Sequence, residues 1–232
     1  MALLYAREGA DVAIVYLPEE ESDAKKIKGE IDSLGRRVLL LPGDLRDPDF
    51  CGETVRRTVE ELGGLNILVS NAAYLNSQTE PEQLTSEDFD RFFKTNVYAY
   101  FHLVTAAVPD MSQGNAIIAT ASEEALDESD LVMDYAASKA AVVVFTKSIA
   151  PHLVKRAIRA NVVGPGPTWS APNPAGHRFT DDYLTNLGAQ TPLGQGPSPK
   201  RSRRPTSTMS ATRSSYTIGV TIAATGEYTD SR

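Results

Sequence analysis

The sequence predicts an α/β fold built on a doubly wound parallel sheet. Three observations carry this expectation. Short β-branched apolar runs alternate with longer helical stretches along the chain. The runs are nearly continuous in apolar residues rather than alternating, which is the pattern of strands buried on both faces of a parallel sheet. Glycines follow several helical stretches, as at Gly9, Gly35 and Gly63, where a chain commonly leaves a helix through the left-handed conformation.

Each element has its own signal. Residues 1–9 read as the last turns of an amphipathic helix. A strand at 12–16 and a helix at 19–34 follow, then a strand at 38–41 and a helix at 49–62 ended by Gly63-Gly64. Residues 67–69 form the next strand. A long helix begins at Thr85 and runs to about residue 107. Its entry, Thr85-Ser86-Glu87-Asp88, offers a capping threonine with an acid three residues on. Strands at 116–119 and 159–163 flank a helix at 134–150. Crossovers of this length place neighbouring strands parallel and right-handed.

After Gly164 the alternation stops. Pro165, Pro167, Pro172 and Pro174 mark a loop, and a short helix is expected at 180–187. Residues 195–215 are rich in Ser, Thr and Pro, carry Lys200, Arg201, Arg203, Arg204 and Arg213, and hold no acid. That composition does not predict packing. A strand resumes at 216–223. The domain reading is therefore one α/β domain over 1–194, an unpatterned basic segment at 195–215, and a last strand and tail of the same domain at 216–232.

The chain has 232 residues, 41% of them hydrophobic, which suits one sizeable core. Its net charge of -7 argues against a protein built mainly to grip nucleic acid or an anionic membrane. No window reaches the roughly 18 apolar residues of a membrane span, and the first residues lack the features of a signal peptide. A single cysteine, Cys51, excludes an internal disulfide and suits a reducing, cytoplasmic setting. Cys51 near a helix start could be reactive, but a small packing residue is the favoured reading.

In a doubly wound sheet the site lies outside the carboxyl ends of the strands. Tyr135 and Lys139 are four apart on a predicted helix and share a face. An ammonium beside a phenol favours the phenolate, so this tyrosine is expected to titrate below its ordinary value and to exchange a proton with an alcohol or carbonyl oxygen. Ser122 follows the strand at 116–119, where a hydroxyl can donate to the same oxygen. Its bland role is a cap or turn. Asn96 sits mid-helix, a poor place on propensity grounds, and so is expected to hold a water or a backbone kink. Ser70-Asn71-Ala72-Ala73 closes one strand with small residues that let a flat ligand approach. Gly43-Asp44-Leu45 closes another, where an aspartate can bond an adenine amine, and Pro165-Gly166 closes a third.

The ordered set Asp44, Asn71-Ala72-Ala73, Asn96, Ser122, Tyr135-x-x-x-Lys139, Asn161 and Pro165-Gly166 resembles the classical short-chain dehydrogenase/reductase family over about residues 1–193. Leu17-Pro18-Glu19-Glu20-Glu21 and Pro165-Gly166-Pro167-Thr168-Trp169 further resemble a bacterial subgroup of glucose/ribitol-type and general-stress oxidoreductases. The resemblance implies a Rossmann-like fold and a role for each residue. Tyr135 would be the general acid/base. Lys139 would tune it and bond the nicotinamide ribose. Ser122 would orient the substrate oxygen, and Asn96 would hold a proton-relay water. Asp44 and Leu45 would meet the adenine, Asn71, Ala72 and Ala73 the adenosine ribose, and Pro165, Gly166 and Thr168 the nicotinamide. It also implies a homotetramer or dimer, with Ala137, Ala140, Ala141, Val144 and Phe145 of the 134–150 helix as the packing face.

Three departures stand out. The family opens with a strand and a TGxxxGxG loop whose N–H groups cradle a pyrophosphate; neither is found, so the expectation is a chain truncated at its N-terminus, with impaired cofactor binding. The first asparagine of the NNAG motif is Ser70. Residues 195–215 replace an amphipathic helix, and the unchanged spacing of the flanking sequence points to an out-of-frame reading of that stretch.

The main functional reading is hydride transfer between NAD or NADP and a small alcohol, sugar or aldehyde. The alternative is a non-enzymatic binding or scaffold relative, which would not need Asn96, Ser122, Tyr135 and Lys139 together. A serine hydrolase is disfavoured because Ser122 lacks nucleophile-elbow glycines. His102, His152 and His177 lack metal spacing, so no metal is expected. Glu19 to Glu21 would repel a 2′-phosphate, which leans the cofactor towards NAD.

Overall fold

The computed structural model describes residues 1–76, 80–127, 132–166, 204–211 and 214–225. The predicted helix at 180–187, Thr168 and most of 195–215 lie outside these residues. The described chain begins with a short helix, α1 (Ala2–Arg7), then strand β1 (Val12–Tyr16), helix α2 (Glu21–Asp32), strand β2 (Val38–Pro42), helix α3 (Pro48–Leu62) and strand β3 (Ile67–Ser70). There follow α4 (Ser86–Phe93), α5 (Ala99–Ala107), β4 (Ala116–Thr120), α6 (Met133–Leu153), β5 (Arg159–Pro165), α7 (Arg204–Ser210) and β6 (Thr221–Ala224).

Among the described residues the strands form two parallel blocks. One is the pair β1-β2, with Val12 opposite Val38. The other runs β3-β4-β5-β6, with Ile67 opposite Ala116, Ala116 opposite Arg159 and Val162 opposite Thr221. The continuous apolar strands have the explanation that the sequence implied. Ile117 and Ala119 of β4 enter a core with Val55 of α3, Tyr100 and Val104 of α5, and Val142 of α6. Ile118 between them points to the other face, where it packs with Val163 and Met209 of α7. Both faces of the central strands are thus dry, and alternation would leave polar groups buried.

Local signals hold at several ends. Thr85 Oγ1 accepts the Asp88 N–H at 3.0 Å, as its capping position predicts. Asp47 caps α3 by accepting from Asp49, and Gly63 ends it at φ 88°. Cys51 is fully buried in the core, and burial pushes its thiol up to about 11, which is the packing reading.

The helix from Thr85 runs to Ala107 as expected, with a π turn at Lys94–Tyr98 joining α4 to α5. Two expectations are corrected. The last strand starts at Thr221 rather than 216, because Asn161 holds the approach in a bend. Its Nδ2 donates to Thr217 O at 2.8 Å and its Oδ1 accepts from Val220 N at 3.1 Å. Finally, part of the stretch whose composition does not predict packing does pack. Met209 and Thr206 of α7 are buried against the sheet. Arg159 at the start of β5 donates to the carbonyls of Met209, Ser210, Ala211 and Ser214. A buried guanidinium gathers the unpaired carbonyls that a helix C-terminus always leaves.

Candidate active site

Because all four strands of the larger block are parallel, β3, β4 and β5 deliver their carboxyl ends to one edge. Ser70-Asn71 follows β3, Thr120-Ala121-Ser122 ends β4, and Gly164-Pro165-Gly166 ends β5. Thr120 Oγ1 donates to Asn71 Oδ1 at 3.1 Å, which ties two of these ends together. Gly164 is needed there: a Cβ would lie 3.2 Å from Ser122 O. A side chain at 164 would push the two strand ends apart.

Helix α6 brings its first turns to this edge. Tyr135 is half-buried, and its hydroxyl hydrogen-bonds Ser122. Ser122 also caps the short turn after it by accepting from Glu124 N at 3.3 Å, its expected capping role. Lys139 is only 2% exposed. Its Nζ donates to Thr120 O at 2.8 Å and lies 5.5 Å from the centre of the Tyr135 ring.

The charge states differ from the simple expectation. Burial drives Tyr135 up to about 12, with the Ser122 bond opposing it and Glu124 and Glu123 adding to it. Burial also brings Lys139 down to about 8. Tyr135 therefore stands above its ordinary value rather than below it, with Lys139 still beside its ring. In a dry site the loss of solvent outweighs a cation held 5.5 Å from the ring centre.

Asn96 lies in the π turn and is buried. Its side chain makes three hydrogen bonds: Oδ1 accepts from Tyr74 N at 2.7 Å, and Nδ2 donates to Tyr74 O at 3.1 Å and to Ser138 Oγ at 2.9 Å. The predicted backbone irregularity is present, and the side chain serves to tie helix to loop rather than to reach into open space.

The structure brings Ser122, Tyr135 and Lys139 into one group, with Asn96 joined through Ser138. Asn71, Ala72 and Ala73 lie exposed beside it, and Pro165 and Gly166 close the third strand. A Cβ on Gly166 would sit 2.8 Å from Thr225 Cα, so this turn packs directly on the backbone after β6. Asp44 stands at the end of β2, in the other strand block, with its carboxylate engaged by Arg46 at 2.5 Å. Arg46 holds that carboxyl below its ordinary value. Leu45 packs partly into the core and its carbonyl accepts from Cys51 Sγ. Two participants were not singled out in the sequence. Thr120 receives the lysine, and Ser138 bridges Asn96 to Tyr135. Ser138 sits three residues after Tyr135 on the same helical face, a spacing that could have drawn attention to it.

Known proteins share this fold. The family model described as enoyl-(acyl carrier protein) reductase matches residues 1–229. The chain belongs to the short-chain dehydrogenase/reductase family. General stress protein 39 of Bacillus subtilis is 38% identical over 226 residues, 97% of this chain and 78% of that protein. The NADPH-dependent aldehyde reductase 1, chloroplastic, of Arabidopsis thaliana is 32% identical over 200 residues, covering 84% of this chain and 69% of its own length. A short-chain dehydrogenase from Burkholderia cenocepacia, solved in complex with NADP, superposes with a TM-score of 0.89 at 30% identity over 97% of this chain and 91% of that one. As in other short-chain dehydrogenase/reductase members, the doubly wound sheet is the scaffold. No described helix is long and apolar enough to cross a membrane, and no described acid, histidine or cysteine cluster could hold a metal.

Proposed function

We propose that this short-chain dehydrogenase/reductase interconverts a small carbonyl compound and its alcohol with a nicotinamide dinucleotide, and that Tyr135 exchanges the proton. The observation that carries the reading is the meeting of Ser122, Tyr135 and Lys139 at the carboxyl end of β4. A bound nicotinamide would supply or accept the hydride. For carbonyl reduction, Tyr135 gives its proton to the substrate oxygen as the carbon takes the hydride, and solvent reprotonates the phenolate afterwards. The Ser122 hydroxyl, already at Tyr135, donates to the same oxygen and stabilises its developing charge. The buried Lys139 ammonium lowers the cost of the transient phenolate.

The residues fit the nicotinamide-ribose half of such a cofactor. Lys139 offers an enclosed donor beside Tyr135, while the exposed Asn71, Ala72 and Ala73 leave room for the adenosine ribose. The adenosine half is less well provided, since an adenine amine would share Asp44 with Arg46. The lean to NAD finds no support among the relatives: those whose names carry a cofactor carry NADP or NADPH. The aldehyde and NADPH in the plant relative's name favour an aldehyde as substrate and NADPH as donor.

The test follows cofactor absorbance at 340 nm with the full chain. NADPH and NADH are supplied with propanal, and the oxidised forms with ribitol. Turnover with one pair, lost by more than about a hundredfold in Tyr135→Phe with cofactor binding retained, is the expected outcome. Full turnover in Tyr135→Phe would overturn the assignment. Cofactor-independent ligand binding with no turnover would favour the scaffold reading.

A further inference from the structure

We infer that Ser138 is a positioning residue, which sets Tyr135 by joining it to the π turn at Lys94–Tyr98. The inference rests on the reading of Tyr135 as the proton carrier. Ser138 is 0% exposed. Its Oγ donates to the Tyr135 carbonyl at 2.7 Å and accepts from Asn96 Nδ2 at 2.9 Å. A serine bonding back to the previous turn of its own helix is ordinary. The second bond is not, because it comes from another helix, 42 positions away in sequence.

Asn96 cannot move to follow Ser138. Its other two bonds go to both backbone groups of Tyr74, in the loop after β3. The π turn that carries Asn96 inserts one residue into the helix ladder, and in this fold that residue's neighbourhood faces α6. The other side of Tyr135 is held as well. Asp134, also 0% exposed, accepts the Tyr135 N–H on Oδ1 at 2.9 Å, and its Oδ2 is buried without a partner. The peptide groups before and after Tyr135 are thus each gripped by a buried side chain. A buried carboxylate oxygen left unpaired costs stability, and a position that tolerates this cost is constrained by something other than stability.

The two strands of this brace differ in what they reach. Asp134 acts within its own helix turn. Ser138 reaches the loop after β3 through Asn96, and so couples the height of Tyr135 to the site edge formed by Asn71, Ala72 and Ala73. Removing the Ser138 hydroxyl leaves α6 intact, since alanine is the better helix former, but frees Tyr135 to shift relative to Ser122. Misplacement of an acid/base group by a fraction of an ångström lowers the chemical step without changing what binds.

The experiment compares Ser138→Ala, Ser138→Thr and Tyr135→Phe in the full chain, reduced with NADPH and propanal. Ser138→Ala is expected to lower kcat about ten- to a hundredfold, to leave KM for NADPH within about twofold, and to shift the pH dependence of kcat by about half a unit or more. Ser138→Thr, which keeps the hydroxyl, is expected to recover most of kcat and the original pH profile. A Ser138→Ala enzyme with normal kcat and pH profile, beside an inactive Tyr135→Phe, overturns the positioning role and leaves the proposed function standing. So does a loss that vanishes once rates are divided by the fraction of folded, NADPH-binding sites. An active Tyr135→Phe overturns both.

Discussion

Lys139→Met should make the protein more stable at pH 7 while abolishing its turnover. Lys139 is 2% exposed, and burial lowers it from 10.5 to about 8. Each unit is worth about 1.36 kcal/mol, so holding the cation rather than the neutral amine costs the folded state about 3 kcal/mol. Methionine escapes that cost but loses the bond from the ammonium to Thr120 O, worth about 2 kcal/mol for a charged donor. The net gain is about 1 kcal/mol, or about 2–4 °C in Tm for a domain of this size. The gain must depend on pH in one direction. Below pH 8 both folded and unfolded lysines are protonated and the penalty is complete. Between about 8 and 10.5 the folded protein releases its proton first, the penalty fades, and the wild-type chain gains stability that Lys139→Met does not. Urea unfolding at pH 7, 9 and 10.5 measures this. A variant less stable than wild type at pH 7, or an advantage that does not shrink by pH 10.5, would refute the reasoning.

Four further outcomes are expected. Arg159→Met should cost about 2–4 kcal/mol, because carbonyls at the end of α7 lose a charged donor, and should open 204–211 to limited proteolysis; unchanged protection would show that this segment does not depend on β5. Gly166→Ala should cost about 1–3 kcal/mol by urea unfolding, since its Cβ would meet Thr225 Cα at 2.8 Å. Residues 1–232 alone should bind NADPH more weakly than the micromolar range, and calorimetric titration giving a micromolar Kd would contradict this. Val144 is 63% exposed on α6, on the face proposed to join subunits; Val144→Asp should lower the mass seen by light scattering, while a wild-type monomer would refute it.

Much of the scaffold was legible because it depends on short-range physics. A strand dry on both faces must read as a continuous apolar run, so β4, with Ile117 facing one layer and Ile118 the other, could be placed by inspection. Thr85 caps α4 and Gly63 ends α3 through contacts within a few residues. Where the expectation failed, a distant residue had intervened. Asn161 holds the 217–220 bend and delays β6. Arg159 and the sheet receive α7, whose composition alone carries no packing signal.

The sequence by itself determined the order of strands and helices and the strand ends at which chemistry could gather, which follow from periodicity, capping and spacing written into neighbouring residues. The proposal of Ser122, Tyr135, Lys139 and Asn96 as its carriers came from the family resemblance. Only the tertiary structure decided what those groups are worth. Two residues on one helical face can be recognised from their spacing. Whether a lysine lowers its tyrosine, or both are governed by loss of water, depends on every atom packed around them. The same holds for Arg46 engaging Asp44 and for Ser138 linking two helices. Desolvation and long-range hydrogen bonds are properties of the packed assembly, and they come into being only when segments far apart in the chain meet.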